Sequence, residues 1–222
     1  MSNKITRIAI AGEGGQGVQM IAEILAEAAD KMGKSAIYIP NFGVEQRGGV
    51  SIAFVQISDG PIGAPKFVES DILIPVSPRA VDRTIMHAGA LTTYIYDDSL
   101  VTPEQIADAV STDHYVEVVT EGTTAQAERF KPSAGTDVSK LPKVPQVIAI
   151  PANEIAKLEF HPRVFNILLL GVTIGATDVL PMDEIKKALE AKLGHKFDEN
   201  PKLREMNYNA LDRGYELIKS VK

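Results

Sequence analysis

The sequence predicts an α/β protein: a three-layer α/β/α sandwich with a mostly parallel sheet and a helical C-terminal cover. Short apolar runs alternate with amphipathic segments through the first hundred residues, and the chain from residue 163 onward has helical periodicity. Hydrophobic residues make up 45% of the 222 residues, as in ordinary globular proteins. Alternating strands and helices followed by helices alone give this layering, and we expect residues 1–222 to form a single domain.

The first forty residues predict a β–loop–α–β unit. Residues 4–11 form an apolar run with several isoleucines, residues 12–17 are rich in glycine, and residues 16–32 place apolar side chains on one helical face. Gly33 follows, and residues 35–40 form a second strand-like run. The expected arrangement is a parallel pair of strands joined by a right-handed crossover.

Further elements are predicted along the rest of the chain. Apolar runs indicate strands at residues 50–58, 71–76, 91–96 and 146–150. Helices are expected at residues 78–87, after the Thr102-Pro103-Glu104-Gln105 capping pattern, from about Ala152, and at 164–175, 183–193 and 201–221. Residues 164–175 are almost wholly apolar and too short to span a membrane, so this helix should be buried on all sides.

Residues 121–145 differ from their surroundings. They contain five glycines and prolines in all, few large apolar side chains, and no sustained period: Gly122, Pro132, Gly135, Pro142 and Pro145. Long segments without regular structure are uncommon inside compact domains and are often functional or interfacial. We therefore expect a surface insertion here.

Composition excludes several classes of function. The chain has no cysteine, so it cannot form disulfides or ligate a zinc ion or an iron–sulfur cluster through thiolates. Its four histidines are far apart, and a net charge of −6 argues against a nucleic-acid binder. No apolar stretch reaches the length of a membrane span, and no signal peptide is recognisable, so we expect a cytoplasmic protein without a membrane span.

The glycine-rich turn fits the pattern G-x-G-x-x-G between a strand and a helix, and its candidate ligand-binding residues are Gly12, Gly14, Gly15, Gln16 and Gly17. Such a turn in a Rossmann-like sheet lets a ligand approach the backbone and points N–H groups at an anion. However, the second strand ends in Ile39-Pro40-Asn41, without the acidic residue that binds a ribose. Val18 and Gln19 also stand where a phosphate-binding P-loop has Lys and Ser or Thr. Two other interpretations remain: the glycines only permit tight packing, or the chain is an independent NAD(P)-binding reductase.

A second motif follows the second strand directly, and its candidate residues are Arg47, Gly48 and Gly49. Its start should share the carboxyl-end edge of the sheet with the first loop, and this edge binds ligands in open α/β sheets. Arg47 could hold a phosphate or carboxylate in a bidentate fashion. Equally, it could be a surface residue paired with Glu45.

These two segments, GEGGQGV at residues 12–18 and EQRGGVS at residues 45–51, together resemble the gamma subunit of 2-oxoacid:ferredoxin oxidoreductases. Further matches lie in order along most of the chain: Ile57-Ser58, Pro61-Ile62, Ala64-Pro65, Asp71, Leu73, Pro151-Ala152, Ile155-Ala156, Asn166, Leu169-Leu170-Gly171, Asn207, Ala210-Leu211 and Gly214. The 121–145 segment departs from the family, whose connection there is shorter.

The resemblance implies an enzyme complex that converts a 2-oxo acid and coenzyme A to an acyl-CoA and CO₂, with electrons passed to ferredoxin or a similar acceptor. It implies partners of the alpha and beta type, which hold thiamine diphosphate with Mg²⁺, and a ferredoxin-like subunit with [4Fe-4S] clusters. The gamma-type chain holds none of these cofactors alone and supplies no catalytic residue. Through the two glycine motifs it either faces coenzyme A or docks a neighbouring subunit, and we expect exposed apolar patches where partners bind.

Two other pairs of residues are interpreted as structural. Asp97 and Asp98 follow a predicted strand and are expected in a solvated turn. Tyr215 and Lys219 have the Tyr-x-x-x-Lys spacing of short-chain reductases, but they lie near the end of the last helix, where we expect fraying.

Overall fold

The structure is a computed structural model that describes residues 4–43, 49–102, 105, 117–120 and 146–221. Its strands are β1 (Ile5–Glu13), β2 (Ser35–Phe42), β3 (Val50–Ser58), β4 (Ser70–Pro75), β5 (Ala88–Asp97), β6 (Glu117–Thr120) and β7 (Gln146–Ile150). Its described α-helices are α1 (Val18–Lys31), α2 (Pro78–Thr84), α3 (Ala152–Glu159), α4 (Phe165–Thr177), α5 (Met182–Glu199) and α6 (Pro201–Val221). Short 3₁₀ turns at Ile85–His87 and Pro162–Val164 follow α2 and precede α4.

The strands form one sheet in the order β2-β3-β1-β4-β5-β7-β6. The β1–β4, β4–β5, β5–β7 and β6–β7 pairs are parallel, whereas β3 is antiparallel to both of its neighbours. Because β2 is antiparallel to β3, it runs in the same direction as β1. The predicted mostly parallel sheet is therefore confirmed.

The expected pairing of β1 with β2 is wrong. Strand β3 lies between them, with Val55 opposite Ile8 of β1 on one side and Tyr38 of β2 on the other. The physical reason is the short connection from Phe42 to Val50, which is long enough for an antiparallel hairpin and too short for a parallel crossover. The carboxyl ends of β1 and β2 still lie on the same edge of the sheet, as predicted.

The edge strand β6 was not predicted from the sequence. Its four residues, Glu117–Thr120, are too few to show a diagnostic period. Backbone pairing with β7, with Val118 opposite Val147, places this segment in the sheet. The strand therefore depends on a tertiary neighbour.

The helical layer on one face of the sheet is centred on α4, which is buried along its length apart from Asn166 and its last residue. Its prediction as an all-round apolar, buried helix is confirmed. Glycines bring it very close to α6: a Cβ placed on Gly171 would lie 2.0 Å from the Leu211 carbonyl oxygen. A Cβ on Gly214 would lie equally close, 2.0 Å, to the Leu168 carbonyl oxygen. The opposite face carries α2, so the three layers are present.

The end of α4 explains the Tyr215 and Lys219 pair. Asp178 follows the helix with a left-handed backbone (φ 50°), and its carboxylate pairs with the Lys219 ammonium at 2.5 Å. The same ammonium lies 5.4 Å from the centre of the Tyr215 ring. Helix α6 continues to Val221, so both residues lie in regular helix. The Lys219 ammonium lies beside the residue that follows the C-terminus of α4, where a cation is favourable, and the pair is structural as expected.

The Thr102 capping pattern is confirmed by reciprocal bonds. The Thr102 N–H donates to Gln105 Oε1 at 2.9 Å, and the Gln105 N–H donates to Thr102 Oγ1 at 3.4 Å. The expected insertion at 121–145 lies outside the described residues. Within the described ranges, no helix is long and apolar enough to cross a membrane.

Candidate functional site

The first glycine motif is the connection from β1 to α1 at the carboxyl-end edge of the sheet. Gly12 is buried at the end of the strand, whereas Gly14 and Gly15 are exposed at the tip of the loop. Gly17 is the N-cap of α1 and has a left-handed backbone without a side-chain cap. The tip therefore presents exposed backbone, while the base of the loop belongs to the core.

The Gln16 side chain closes the crevice between β1 and β4. Its Oε1 accepts a hydrogen bond from the Glu13 N–H at 2.5 Å, and its Nε2 donates to the Val76 carbonyl at 3.0 Å. The helices that follow these two strands lie on opposite faces of the sheet, so this is the topological switch point where open α/β sheets bind ligands. A side chain of the protein occupies the inner part of that crevice.

Glycine occupies the positions of this loop for different physical reasons. A Cβ on Gly12 would lie 2.6 Å from Gln16 Oε1, and a Cβ on Gly17 would lie 2.8 Å from the side chain of Asn166. Packing therefore explains Gly12, whereas packing and a left-handed backbone (φ +76°) together explain Gly17. Gly15 has φ +99° but no heavy atom within 4 Å of a Cβ position, so its backbone conformation requires glycine while the space around it is open.

The Gln19 side chain ties α1 to the two neighbouring strands. Its Nε2 donates to Ser51 Oγ and to the Ile52 carbonyl, and its Oε1 accepts from the Tyr38 hydroxyl at 2.6 Å. Burial raises the pKa of Tyr38, with the charge of Glu23 as a smaller cause. Gln19, which stands where a P-loop has Ser or Thr, thus has a structural role that its position in the sequence alone did not indicate.

The ends of the second motif lie beside the first. Gly49 immediately precedes β3, whose first residue Val50 is opposite Glu13 of β1. The Gly43 N–H donates to the Val50 carbonyl at 3.1 Å and closes the base of the connection. Arg47 and Gly48 lie outside the described residues, so the structure brings together the first loop and Gly49 and leaves the role of Arg47 a prediction.

A cavity of about 190 Å³ adjoins the glycine loop. The residues that define its polar character come from three parts of the chain: Gly15, Gln16, Asn153, Arg163 and Asn166. Asn153 and Arg163 were not singled out from the sequence, because more than a hundred residues separate them from the loop and neither belongs to a recognisable motif. Asn166 had appeared only as a match to the family.

Asp97 is not in a solvated turn, and that expectation is wrong. Its side chain is 1% exposed at the end of β5. The carboxylate accepts hydrogen bonds from the Ser99 N–H at 3.0 Å, from Ser99 Oγ, and from the Asn153 N–H at 2.7 Å. Burial raises the pKa of Asp97 to about 6 although these hydrogen bonds lower it. Asp98, in contrast, is exposed.

Histidines have structural or surface positions where they are described. His161 Nδ1 accepts from the Arg163 N–H at 3.1 Å, the His87 ring contacts the Val68 carbonyl at 2.7 Å, and His195 is exposed. Among the described residues, no three metal-ligating side chains come together.

On the opposite face of the sheet, a groove of about 430 Å³ lies over β2 and β3. The rings of Phe54, Phe67 and His87 pack edge to face along it, with centroids 5.4 Å and 5.0 Å apart. Several large apolar side chains elsewhere on the surface are strongly exposed: Phe42 (67%), Val68 (74%), Met86 (67%), Leu91 (81%) and Leu158 (76%). The surface is therefore not uniformly polar.

Comparisons with known proteins agree with this fold and these motifs. Residues 7–217 match the model of the family described as pyruvate ferredoxin/flavodoxin oxidoreductase. The chain is 31% identical over 217 residues to the 2-oxoglutarate synthase subunit KorC of Methanocaldococcus jannaschii, covering 96% of this chain and 94% of that protein.

Two solved structures share the fold. The gamma subunit of a keto/oxoacid ferredoxin oxidoreductase from Geobacter sulfurreducens has a TM-score of 0.68 at 24% identity, with 99% of each chain covered. A 2-oxoglutarate:ferredoxin oxidoreductase from Magnetococcus marinus, with 2-oxoglutarate, coenzyme A and succinyl-CoA bound, has a TM-score of 0.74 at 21% identity. There, all of this chain matches 32% of a longer chain. The chain belongs to the pyruvate ferredoxin/flavodoxin oxidoreductase family, as a gamma-type subunit of an oxidoreductase complex.

Proposed function

We propose that this chain is the non-cluster gamma subunit of a thiamine-diphosphate-dependent enzyme that converts a 2-oxo acid and coenzyme A to an acyl-CoA and CO₂. Electrons pass to ferredoxin or a similar acceptor. The observation that carries the proposal is the family match over residues 7–217, which includes both glycine motifs. We also propose that the complex is cytoplasmic, which is the expectation from the apolar pattern of the sequence.

The residues of this chain do not fit the cofactors of such a reaction. The sequence offers no thiolate for an iron–sulfur cluster. Among the described residues, no three carboxylate or histidine side chains come together. From the missing thiolates and the family resemblance, we assign thiamine diphosphate, Mg²⁺ and the [4Fe-4S] clusters to alpha-, beta- and ferredoxin-like partners.

Within the complex, we assign to this chain a contact with coenzyme A, made by the first loop and the Arg47-Gly48-Gly49 motif. Gly14 and Gly15 expose backbone at the edge of the sheet, where N–H groups can donate to an anion. Gln16 and Gln19 hold the base of the loop rigid, so the loop loses little conformational freedom when a ligand binds. A diphosphate group suits such donors.

Exposed apolar surface supports a role within a complex. Phe42 and Leu91 are more than half exposed, and the groove over β2 and β3 is lined by aromatic rings. Burying such side chains against a partner is favourable by about 25 cal/mol per Å² of apolar surface. We propose alpha- and beta-type subunits as the partners, with residues 1–222 as one domain and residues 121–145 as its surface insertion.

The geometry does not favour an independent NAD(P)-binding reductase. Gln16 occupies the inner crevice where the backbone would approach a pyrophosphate, and β2 ends in Asn41 and Phe42 without a carboxylate for the ribose hydroxyls. None of the relatives compared above is named as an NAD(P)-dependent enzyme.

The test is the assembled oxidoreductase carrying Arg47→Ala. Loss of a charge-assisted contact with a phosphate should raise the KM for coenzyme A about tenfold and leave the KM for the 2-oxo acid nearly unchanged. Arg83→Ala is the matched control, because Arg83 is exposed on the last turn of α2, which leads to the opposite edge of the sheet. An unchanged response to coenzyme A in the Arg47→Ala enzyme would contradict the assignment.

A further inference from the structure

Strand β2 is the first strand in the sheet order, and among the described strands its one neighbour is β3. Its outer side, the side away from β3, therefore carries backbone N–H and C=O groups without a strand partner. The Gly43 N–H donates to the carbonyl of Val50, which is directly opposite, so these two residues form a hydrogen-bonded pair. Such pairs occur at every second residue of an antiparallel ladder, so Asn41, Ile39 and Ile37 also bond to β3.

The residues between them direct their backbone groups outward: Ala36, Tyr38, Pro40 and Phe42. Pro40 agrees with this assignment, because proline has no N–H and is tolerated in a strand where that group would point away from the sheet. The outer side thus offers a carbonyl acceptor at each of these positions and N–H donors at Ala36, Tyr38 and Phe42. These groups can bind the backbone of one further strand.

The groove of about 430 Å³ lies beside this outer side, on the face of the sheet opposite α1. The Tyr38 hydroxyl bonds to Gln19 in α1, whereas Ile39 and Asn41 line the groove, as expected for side chains that alternate along a strand. On the groove face, α2 packs against β1, β3 and β4. A short connection rather than a crossover helix joins β2 to β3, so this end of the face stays open.

One wall of the groove is held in place by contacts within the chain. Gln56 Nε2 donates to the Ala64 carbonyl at 2.9 Å and to the Pro65 carbonyl at 3.0 Å. The Phe67 ring packs edge to face on Phe54, with centroids 5.4 Å apart. Because these contacts already order the wall, a partner that binds there loses little free energy to ordering it.

The groove combines apolar surface with positive charge. Its described lining includes the Lys66 ammonium and the His87 ring but no carboxylate, and within the described ranges Lys66 makes no ion pair. Val68 and Met86, which adjoin Phe67 and His87 in the sequence, are among the strongly exposed apolar residues. This surface is complementary to a partner that carries apolar side chains and a carboxylate.

We propose that an extended segment of a partner subunit joins the sheet at the outer side of β2, with apolar side chains in the groove and an Asp or Glu carboxylate at Lys66. The segment bonds to the backbone groups of Ala36, Tyr38 and Phe42. Every second side chain of a strand points to the same face, so its apolar and acidic residues that enter the groove are two positions apart.

This inference rests on the proposed function only in that the chain works within a complex, and it names the surface that a partner covers. It is independent of the coenzyme contact, because the groove and the cavity beside the glycine loop share no lining residue.

Amide hydrogen exchange, measured by mass spectrometry at residue resolution, tests the added strand. In the isolated full chain, the N–H groups of Tyr38 and Phe42 should exchange rapidly, whereas those of Ile37 and Ile39 are protected by β3. In the assembled oxidoreductase, exchange at Tyr38 and Phe42 should slow about tenfold or more, with Ile37 and Ile39 as internal controls. Equal exchange at Tyr38 and Phe42 in the two samples would overturn the proposal.

Carbodiimide cross-linking of the assembled oxidoreductase tests the acidic residue. The reagent couples the Lys66 amine to a carboxylate in contact with it, and peptide mapping identifies the chain that supplies this carboxylate. We expect an Asp or Glu of another subunit, two positions from an apolar residue. Lys66→Arg is the control, because arginine keeps the charge but has no amine to couple, so the cross-link should disappear.

Charge reversal measures what the contact contributes to binding. Lys66→Glu should raise the dissociation constant of this chain from the complex about tenfold, as followed by native mass spectrometry on dilution. Lys202→Glu changes the net charge equally at an exposed position near the start of α6, in the helical layer on the other face of the sheet, and should leave the dissociation constant unchanged.

The remaining outcomes separate this proposal from the proposed function. A cross-link from Lys66 to a second copy of this chain, recognised with isotopically mixed chains, would overturn the proposal in favour of self-association. If the chain assembles into an active oxidoreductase but Lys66 gives no cross-link and Lys66→Glu has no effect, the docking surface is wrong and the proposed function stands. If the chain does not assemble into an oxidoreductase, both fail.

Discussion

Alanine substitutions at two glycines of the first loop can distinguish the cost of backbone strain from the cost of steric crowding. Gly15 and Gly17 both have positive φ, +99° and +76°, so alanine is strained at either position. Their surroundings differ completely. A Cβ on Gly15 would meet nothing within 4 Å, whereas a Cβ on Gly17 would lie 2.8 Å from both the Cβ and the Nδ2 of Asn166.

The expected effects follow from these two differences. A non-glycine residue with a left-handed backbone costs about 1 kcal/mol, so Gly15→Ala should lower the free energy of unfolding by about this amount. Gly17→Ala carries a similar cost plus overpacking against Asn166, which adds about 1–3 kcal/mol. We therefore expect Gly17→Ala to be destabilising by about 2–4 kcal/mol.

Urea denaturation of the purified chain, followed by circular dichroism, measures both values, and linear extrapolation gives the free energies of unfolding. Asn166→Gly is the third variant, because it removes all the side-chain atoms that crowd Gly17, the Cβ included. In the Asn166→Gly background, Gly17→Ala should cost no more than Gly15→Ala does in the native chain. Equal destabilisation by Gly15→Ala and Gly17→Ala, or no relief in the double variant, would refute the proposed contact between the loop and α4.

Two further predictions concern the core and a buried carboxyl. Gly171→Ala should lower the free energy of unfolding by about 2–3 kcal/mol, because its Cβ would lie 2.0 Å from the Leu211 carbonyl oxygen. At Gly194 the nearest atom to a Cβ would be 3.6 Å away, so Gly194→Ala should instead stabilise helix α5 by up to about 1 kcal/mol. Destabilisation by Gly194→Ala would contradict this reasoning. The pKa of Asp97 is about 6 in the folded chain, whereas its ordinary value is 3.8, so the native state binds the Asp97 proton more tightly than the unfolded state does. The contribution of Asp97 to the free energy of unfolding should therefore decrease by about 3 kcal/mol as the pH rises from about 4 to about 6. The free energy of unfolding, measured as a function of pH, should show this decrease for the native chain and not for Asp97→Asn. Parallel curves for the two proteins would show that Asp97 is ionised normally.

Most elements could be predicted from the sequence because their patterns are local. The apolar run of α4 has no polar face, so a buried helix was the expected outcome, and the structure has it at Phe165–Thr177. Strand β3 was predicted with its observed bounds, Val50–Ser58, since β-branched and aromatic residues alternate there between turn-forming residues. The predicted shared edge for the two glycine motifs also followed from strand direction alone.

Neighbour relations could not be predicted in the same way. The pattern of β3 fixes a strand but not the strand beside it, and its position between β1 and β2 depends on long-range backbone pairing. Asp97 looked solvated because an aspartate pair after a strand usually is. In the structure Asp97 is buried, and its carboxylate accepts a hydrogen bond from the N–H of Asn153, 56 residues later.

By itself, the sequence determined the fold class, the two glycine motifs, the family they resemble and the inability of the chain to ligate a cluster. These depend on residue identity and short spacings, which are read without knowing what lies opposite. Only the tertiary structure decided that Gln16 closes the crevice at Val76, that Gly17 packs against Asn166, and that Arg163 lines the same cavity as the loop. These contacts join residues 60 or more positions apart, and the packing that selects them is a property of the whole core rather than of any one segment.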